Sequence, residues 1–312
     1  MQKPDRQGGC IKHFANPTLK TQSKKANPIA KLANIPPSIG RIVTAVVLLP
    51  ILIASIVVPK LSLLFILLIA VAMVLALLEF WLLARKQQVR ADPAAGLLGA
   101  AALFTVFYFT EVHRPPDLAV LVIVLILLTI CSLVAAMLRG APFDRMISAA
   151  GVTVLGVMYV VLLGGHLVAI RTGFTPQLSR HLLAFFFLTL MGADSAAYYG
   201  GKAFGRHKLA PSVSPGKTWE GAVAGMLTSL LLATAAHYWF FPEFRLKFAL
   251  PLAAVMNIVG VFGDLTESAL KRGAGTKDTA NILPGHGGML DRIDSLLFNA
   301  PLLYYFAYAY FH

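Results

Sequence analysis

Apolar residues in this chain gather in long blocks, and most polar residues collect in the gaps between them. Stretches 43–58, 61–83, 118–138 and 248–261 are nearly free of charge. A membrane-spanning helix needs about 20 apolar residues, fewer where its ends reach water or the bilayer thins. The blocks therefore predict nine spans, at approximately 43–58, 61–83, 94–112, 117–138, 147–170, 181–200, 220–241, 248–270 and 291–311. The first is short and, with Pro59 behind it, suits a helical hairpin with the second. Gly151, Gly156, Gly164 and Gly165 interrupt the fifth, which predicts close helix contacts there. The fold class is an all-α integral membrane protein of about nine transmembrane helices, with polar site loops facing the cytoplasm.

Composition agrees with this pattern. Of 312 residues, 57% are hydrophobic and 13% charged, far from the balance of a soluble domain. With the N-terminus inside, eight Lys and Arg precede the first span, and later inside segments hold three, two, four and four. The outside connections hold six: Lys60, Arg114, Arg171, Arg180, Arg245 and Lys247. The positive-inside rule then gives a cytoplasmic N-terminus and an exterior C-terminus. The formal charge of +13 lies mostly on the cytoplasmic face, where it suits anionic lipid headgroups or nucleotides. Nucleic acid is not the expected partner, because the bases are spread over several short loops.

Cys10 and Cys131, one in the tail and one inside an apolar block, exclude a disulfide framework. Residues 1–40 are basic, polar and lack the apolar core of a signal peptide, so they read as a disordered extension. They are either a solvated tail or a contact for anionic membrane. Residues 41–175 then form the N-terminal transmembrane helices, and 176–312 the C-terminal region that carries the chemistry.

That chemistry is legible in the acids. Eight of the fourteen acidic residues fall between Asp194 and Asp294. Glu243 sits in an exterior loop; Asp194, Glu220, Asp264, Glu267, Asp278, Asp291 and Asp294 converge on the cytoplasmic ends of four helices. Asp264 lies roughly 24 Å along its span at about 1.5 Å per residue, inside the helix but within reach of the interface. Asp264 and Ser268 share a helix face, as do Glu267 and Lys271; Asp291 and Asp294 share another. Clustered carboxylates repel unless a cation joins them, and hard divalent cations prefer such oxygens. Asp264, Asp291 and Asp294 are therefore the candidate metal ligands. The competing reading is a set of ion pairs, Glu267 with Lys271 and Asp291 with Arg272 or Arg292, and for Glu267 that reading is preferred.

Between the sixth and seventh spans lies a glycine-rich basic loop containing Gly200, Gly201, Lys202, Gly205, Arg206, His207 and Lys208. Ser214, Pro215, Gly216, Lys217, Thr218, Trp219, Glu220 and Gly221 follow, with the look of a loop entering a helix. Helix N-termini and exposed backbone amides favour phosphate, so Lys217 is a candidate phosphate grip. The glycine spacing of a Walker loop is absent and no strand is expected before it, which excludes an ATPase domain. Lys202, Arg206 and Lys208 fit a plain positive-inside loop equally well. His286, between Gly285 and Gly287 and flanked by Asp278 and Asp291, is a candidate ligand contact. His13, His113, His166, His181, His207, His237 and His312 show no metal-ligand spacing.

The run from Ser268 to Asp294 reads Ser-x-Leu-Lys-Arg, then Lys-Asp, Leu-Pro-x-His-Gly-Gly-Met and Asp-Arg-Ile-Asp. It resembles the signature of the phosphatidate cytidylyltransferases, also called CDP-diacylglycerol synthases. Asp194 to Lys202 and Ser214 to Gly221 are similar to that family's other familiar stretches. The resemblance covers about the C-terminal third. It implies a multi-pass, dimeric enzyme of the bacterial inner membrane that joins CTP to phosphatidic acid, giving CDP-diacylglycerol and pyrophosphate. It further implies a Mg²⁺-dependent site of one or two ions on Asp264, Asp291 and Asp294. Lys217, Lys271, Arg272 and Lys277 would grip phosphates, while Asp278 and His286 position the nucleotide. Asp194, Lys202, Ser214, Ser268 and Arg292 complete the expected substrate-binding set. Two alternatives stay open: a related lipid nucleotidyltransferase with another lipid-phosphate acceptor, and an ion-coupled transporter. Against the transporter, the charges gather at one membrane face rather than near the midplane.

Overall fold

Inside a bilayer every backbone N–H and C=O must find a partner within the protein, and for apolar blocks that partner is the helix itself. A computed structural model bears this out over residues 37–112, 114–140, 143–277 and 288–311, the residues it describes (backbone only for 37–45 and 47). Helix α1 (Pro37–Val57) passes through a short 3-10 turn (Pro59–Leu61) into α2 (Ser62–Lys86). α3 (Pro93–Tyr108) and α4 (Leu118–Leu138) follow. α5 (Met146–Gly156), a π-helical segment (Val157–Leu162) and α6 (Leu163–Thr172) form one rod. α7 (Pro176–Phe204), α8 (Trp219–Trp239), α9 (Leu246–Gly273) and α10 (Leu290–Phe311) complete the bundle. The starts are capped as their sequences dictate: Asp92, Asp117, Thr175 and Thr218 each accept a backbone N–H from the first turn they precede.

Among the described residues, six rods are long and apolar enough to cross a membrane: Pro59–Lys86, Leu118–Leu138, Phe143–Thr172, Pro176–Phe204, Trp219–Trp239 and Leu246–Gly273. The remaining expected spans coincide with α1, α3 and α10. Among these, Leu48–Val57 and Pro93–Tyr108 are shorter apolar helices, and α10 carries Asp291, Arg292, Asp294, Asn299 and Pro301. Among the described residues, one departure from helical elements occurs in the loop before α8. There β1 (Lys208–Ala210) and β2 (Ser214–Thr218) pair antiparallel, Lys208 opposite Thr218 and Ala210 opposite Ser214. The Gly-Lys-Thr stretch, expected as irregular loop, is therefore the second strand of a hairpin that runs straight into α8.

The core forms around α6, whose residues Gly164 to Arg171 are all buried. His166 on this helix sits between the rings of Phe107, Tyr304 and Tyr305. Of the four glycines in the fifth expected span, Gly156, Gly164 and Gly165 lie where a Cβ would strike Trp81, Leu297 or Met73, and Phe107 respectively. Gly151 faces open space. α4 buries only Leu121, Leu128, Ser132 and Ala136, as a helix facing lipid should.

The two ends of the rod over residues 143–172 differ in chemistry. At one, Arg139 donates to the carbonyls of Arg90 and Ala91 and pairs with Asp92 at 2.6 Å, and Arg145 donates to the Gln88 carbonyl. Burial works against the charge on Asp92, but the Ala95 amide and Arg139 hold its carboxyl below the usual range. At the other, Arg171 is not a loop residue but a buried member of the last turn of α6. Its guanidinium donates to the carbonyls of Ser55 and Ile56, 3.2 Å each, and lies over the Phe65 ring. Those carbonyls belong to the last turn of α1, which lacks intrahelical donors for them. Arg171→Met keeps the length but leaves both carbonyls without that donor, and should cost about 2–3 kcal/mol. Thermal unfolding in detergent checks this; an unchanged midpoint would mean α1 is held by other contacts.

Candidate active site

Two helix crossings assemble the site. α7 and α8 touch because Gly221 carries no side chain: a Cβ there would lie 2.6 Å from the Ala197 carbonyl oxygen. Thr218 ends the hairpin and begins α8, its hydroxyl accepting from the Gly221 amide at 3.1 Å. Lys217, one residue earlier, reaches α9 and meets Asp264 at 2.6 Å. α9 returns the contact through Arg272, whose Nε donates to the Val213 carbonyl in the hairpin turn. Glu220, expected among the converging acids, closes the hairpin base. It accepts from the His207 amide and lies 2.6 Å from His207 Nδ1.

The second crossing is tighter. A Cβ on Gly263 of α9 would lie 2.8 Å from the Asp294 carbonyl and 3.1 Å from Ser295 Cα. Only a hydrogen fits there, so α9 and α10 meet backbone to backbone at the level of Asp264 and Asp294. One carboxylate oxygen from each of Asp264, Glu267 and Asp294 lies within 4.8 Å of the others, a grouping able to hold a metal ion. Asp264 is half-exposed, while Glu267 and Asp294 are buried. Ser268 donates to Asp264 at 3.4 Å, and the Ser295 amide to Asp294 at 2.6 Å. Asp194 closes the group from α7, accepting from the Ser295 hydroxyl at 3.5 Å.

Lys271 sits one turn along α9, 2.6 Å from both Glu267 Oε2 and Asp291 Oδ1. The other Asp291 oxygen accepts from the Gly288 amide at 3.0 Å. Asp291 is thus occupied by a lysine and a backbone donor, and the compact oxygen cluster contains Glu267 in its stead. Glu267 takes both expected parts, ion pair and cluster member. Five carboxylates (Asp194, Glu267, Asp264, Asp291, Asp294) face two lysines, a formal charge of −3 among these described residues. Such an excess at membrane depth calls for a divalent cation or a polycationic complement.

The other expected residues are not part of this oxygen cluster. Lys202, Arg272, Lys277 and Arg292 are exposed, and Ser214 is half-buried at the start of β2. Asp278 and His286 lie outside the described residues. Two residues of the site went unnoticed in the sequence. Glu79, fully buried on α2, accepts from the Met289 and Leu290 amides at 2.8 Å each. It stands inside a block read as nearly charge-free, where a lone acid is itself the signal. Tyr159, on the π-helical segment, packs edge-on against Phe80 and Phe298. Its hydroxyl is buried with no hydrogen-bond partner among the described residues.

The described residues thus form a helical bundle of membrane-protein type, with clustered carboxylates and lysines gathered at one end. A model of the cytidylyltransferase family matches residues 39–310, and the chain belongs to that family. The phosphatidate cytidylyltransferase of Haemophilus influenzae is 44% identical over 140 residues, covering 44% of this chain and 48% of the relative. That of Pseudomonas aeruginosa is 45% identical over 126 residues, 40% and 46% of the two chains. That of Bacillus subtilis is 37% identical over 185 residues, 58% and 64% of the two. The chain thus spans about half to two thirds of the length of these curated relatives.

Lys271→Met leaves two buried carboxylates facing each other without their shared cation. Removing one partner of a buried pair costs about 3–5 kcal/mol. Adding Glu267→Gln to that variant should restore part of the loss, read by thermal unfolding. Equal stability of wild type and Lys271→Met would remove the triad from the account.

Proposed function

We propose that this protein is a phosphatidate cytidylyltransferase, converting CTP and phosphatidic acid to CDP-diacylglycerol and pyrophosphate in phospholipid biosynthesis. Family membership and the relatives' names support the reaction class. The observation that carries the reading is the Asp264, Glu267 and Asp294 oxygen cluster between Lys217 and Lys271. A phosphate oxygen of phosphatidate forms a bond to the α-phosphorus of CTP. The bond from that phosphorus to the bridging oxygen breaks, and its electron pair leaves on pyrophosphate. The nucleophile is already an oxyanion and needs no strong base. The difficulty is charge: two polyanions must meet.

The donor set fits Mg²⁺. It is all oxygen, and its 4.8 Å spread is close to the about 4.2 Å that opposite ligands of Mg²⁺ span. One or two bound Mg²⁺ ions would supply Lewis-acid charge and a template for the phosphates. Lys217 is poised to exchange its bond with Asp264 for a phosphate oxygen. Asp291 stations Lys271 beside the cluster, in place of the ligand role expected of it. Arg272, Lys277 and Arg292 offer solvent-facing cations, with Lys202 and Ser214 on the α7 and hairpin side. Asp278 and His286 keep the nucleotide-positioning roles that the family resemblance implies. Asp194 and Ser268 orient their neighbours by hydrogen bonds. Fixed charges in a low-dielectric pocket stabilise the developing charge without reorganising.

In this reading the chain crosses the bacterial inner membrane nine times, as a homodimer. The site end faces the cytoplasm, supported by the Lys and Arg gathered there. CTP arrives from that side, and the lipid tails stay in the bilayer.

The test uses the full chain in detergent micelles with α-labelled CTP, phosphatidate and Mg²⁺. Labelled CDP-diacylglycerol and free pyrophosphate should accumulate, and chelation of Mg²⁺ should stop both. Asp294→Asn should lower turnover at least about 100-fold while the protein stays folded, since it removes a proposed cation ligand. Lipid binding without pyrophosphate release under any divalent metal would refute the enzyme. Gly263→Leu, which forces α9 from α10, should be equally inactive; near-wild-type turnover would show that this crossing does not build the site.

A further inference from the structure

A carboxylate buried in a membrane helix is costly, and Glu79 is entirely buried. Its surroundings on α2 are Leu77, Phe80, Trp81 and Leu83, all buried apolar side chains. The compensation comes from the far end of the chain. Oε1 accepts from the Met289 amide and Oε2 from the Leu290 amide, both at 2.8 Å. These amides open α10, and first-turn N–H groups have no partner within their own helix. The positive end of the helix dipole adds to the attraction. The third amide of this start, Gly288, donates to Asp291. Two carboxylates thus hold three successive amides, and one turn later Asp294 enters the oxygen cluster.

We infer that Glu79 is a positioning residue for the reaction, fixing the start of α10 and through it the placement of Asp291 and Asp294. It rests on the functional reading above. Its geometry explains why a side chain with two acceptor oxygens stands here. The substitution Glu79→Gln leaves one acceptor and turns an amide group against the second N–H. An aspartate would keep both oxygens but fall one methylene short. A residue serving only to hold the fold would change stability alone; a positioning residue changes cation affinity and turnover in molecules that remain folded.

The experiment compares wild type, Glu79→Gln, Glu79→Asp and Asp294→Asn as full chains in detergent. It reads Mn²⁺ binding by electron paramagnetic resonance, kcat and KM for CTP, and thermal unfolding. Glu79→Gln should bind Mn²⁺ about tenfold more weakly and lose about 10–100-fold in kcat, the range for outer-shell ligand support. KM for CTP should stay within about twofold, and Glu79→Asp should fall between Glu79→Gln and wild type. Folded Glu79→Gln with wild-type Mn²⁺ affinity and kcat overturns the inference. If Glu79→Gln does not fold, Glu79→Asp decides by the same criteria. Wild-type Mn²⁺ affinity and turnover in Asp294→Asn would instead bring down the site reading, and the inference with it.

Discussion

The backbone contact between α9 and α10 at Gly263 is the constraint on which the site depends. With the Asp294 carbonyl 2.8 Å from where a Cβ would stand, no other residue fits without moving a helix. Gly260, a turn earlier, makes room for a side chain of α10: a Cβ there would lie 3.2 Å from Asn299 Nδ2. Membrane helices lack a hydrophobic drive to associate, so small residues that allow close approach are how such contacts are made. Here the close approach places carboxylates from two helices within one cation's reach. Glycine makes the approach, and the acids beside it make the chemistry.

Electrostatics then decide what such a crossing can hold. Buried carboxylates are tolerated only when paired or hydrogen-bonded. Each here has an answer of that kind. Lys217 comes from the hairpin, Lys271 from within α9, and backbone amides from the start of α10. The answers leave an excess of negative charge, centred on Asp264, Glu267 and Asp294. In the function proposed above, that excess would fix cations that polyanionic substrates then share. The hairpin contributes Lys217, held by the Asp264 carboxylate and, in the proposed reaction, exchanged to a phosphate.

Much of this was legible in the order of residues. The apolar blocks mark the helices to within a few residues, because a bilayer leaves the backbone no other way to satisfy itself. The Asp264 and Ser268 pairing and the Glu267 and Lys271 pairing follow from helix spacing alone. What spacing does not carry is which acid faces which cation across two helices. Asp291 and Asp294 are three apart, yet one turns to Lys271 and the other to Asp264 and Glu267. Glu79 escaped for the opposite reason: it accepts from two backbone amides, which no side-chain motif announces. The hairpin escaped because Pro215 and Gly216 read as loop, although Ser214 to Thr218 pairs with β1 as a strand.

Diffraction from crystals of the protein soaked with Mn²⁺ and CTP tests the shared cation pocket most directly. An anomalous peak should stand at coordination distance, about 2.1 Å, from oxygens of both Asp264 and Asp294. A peak bound elsewhere, with Asp264 and Asp294 free of metal, would contradict the account at its centre.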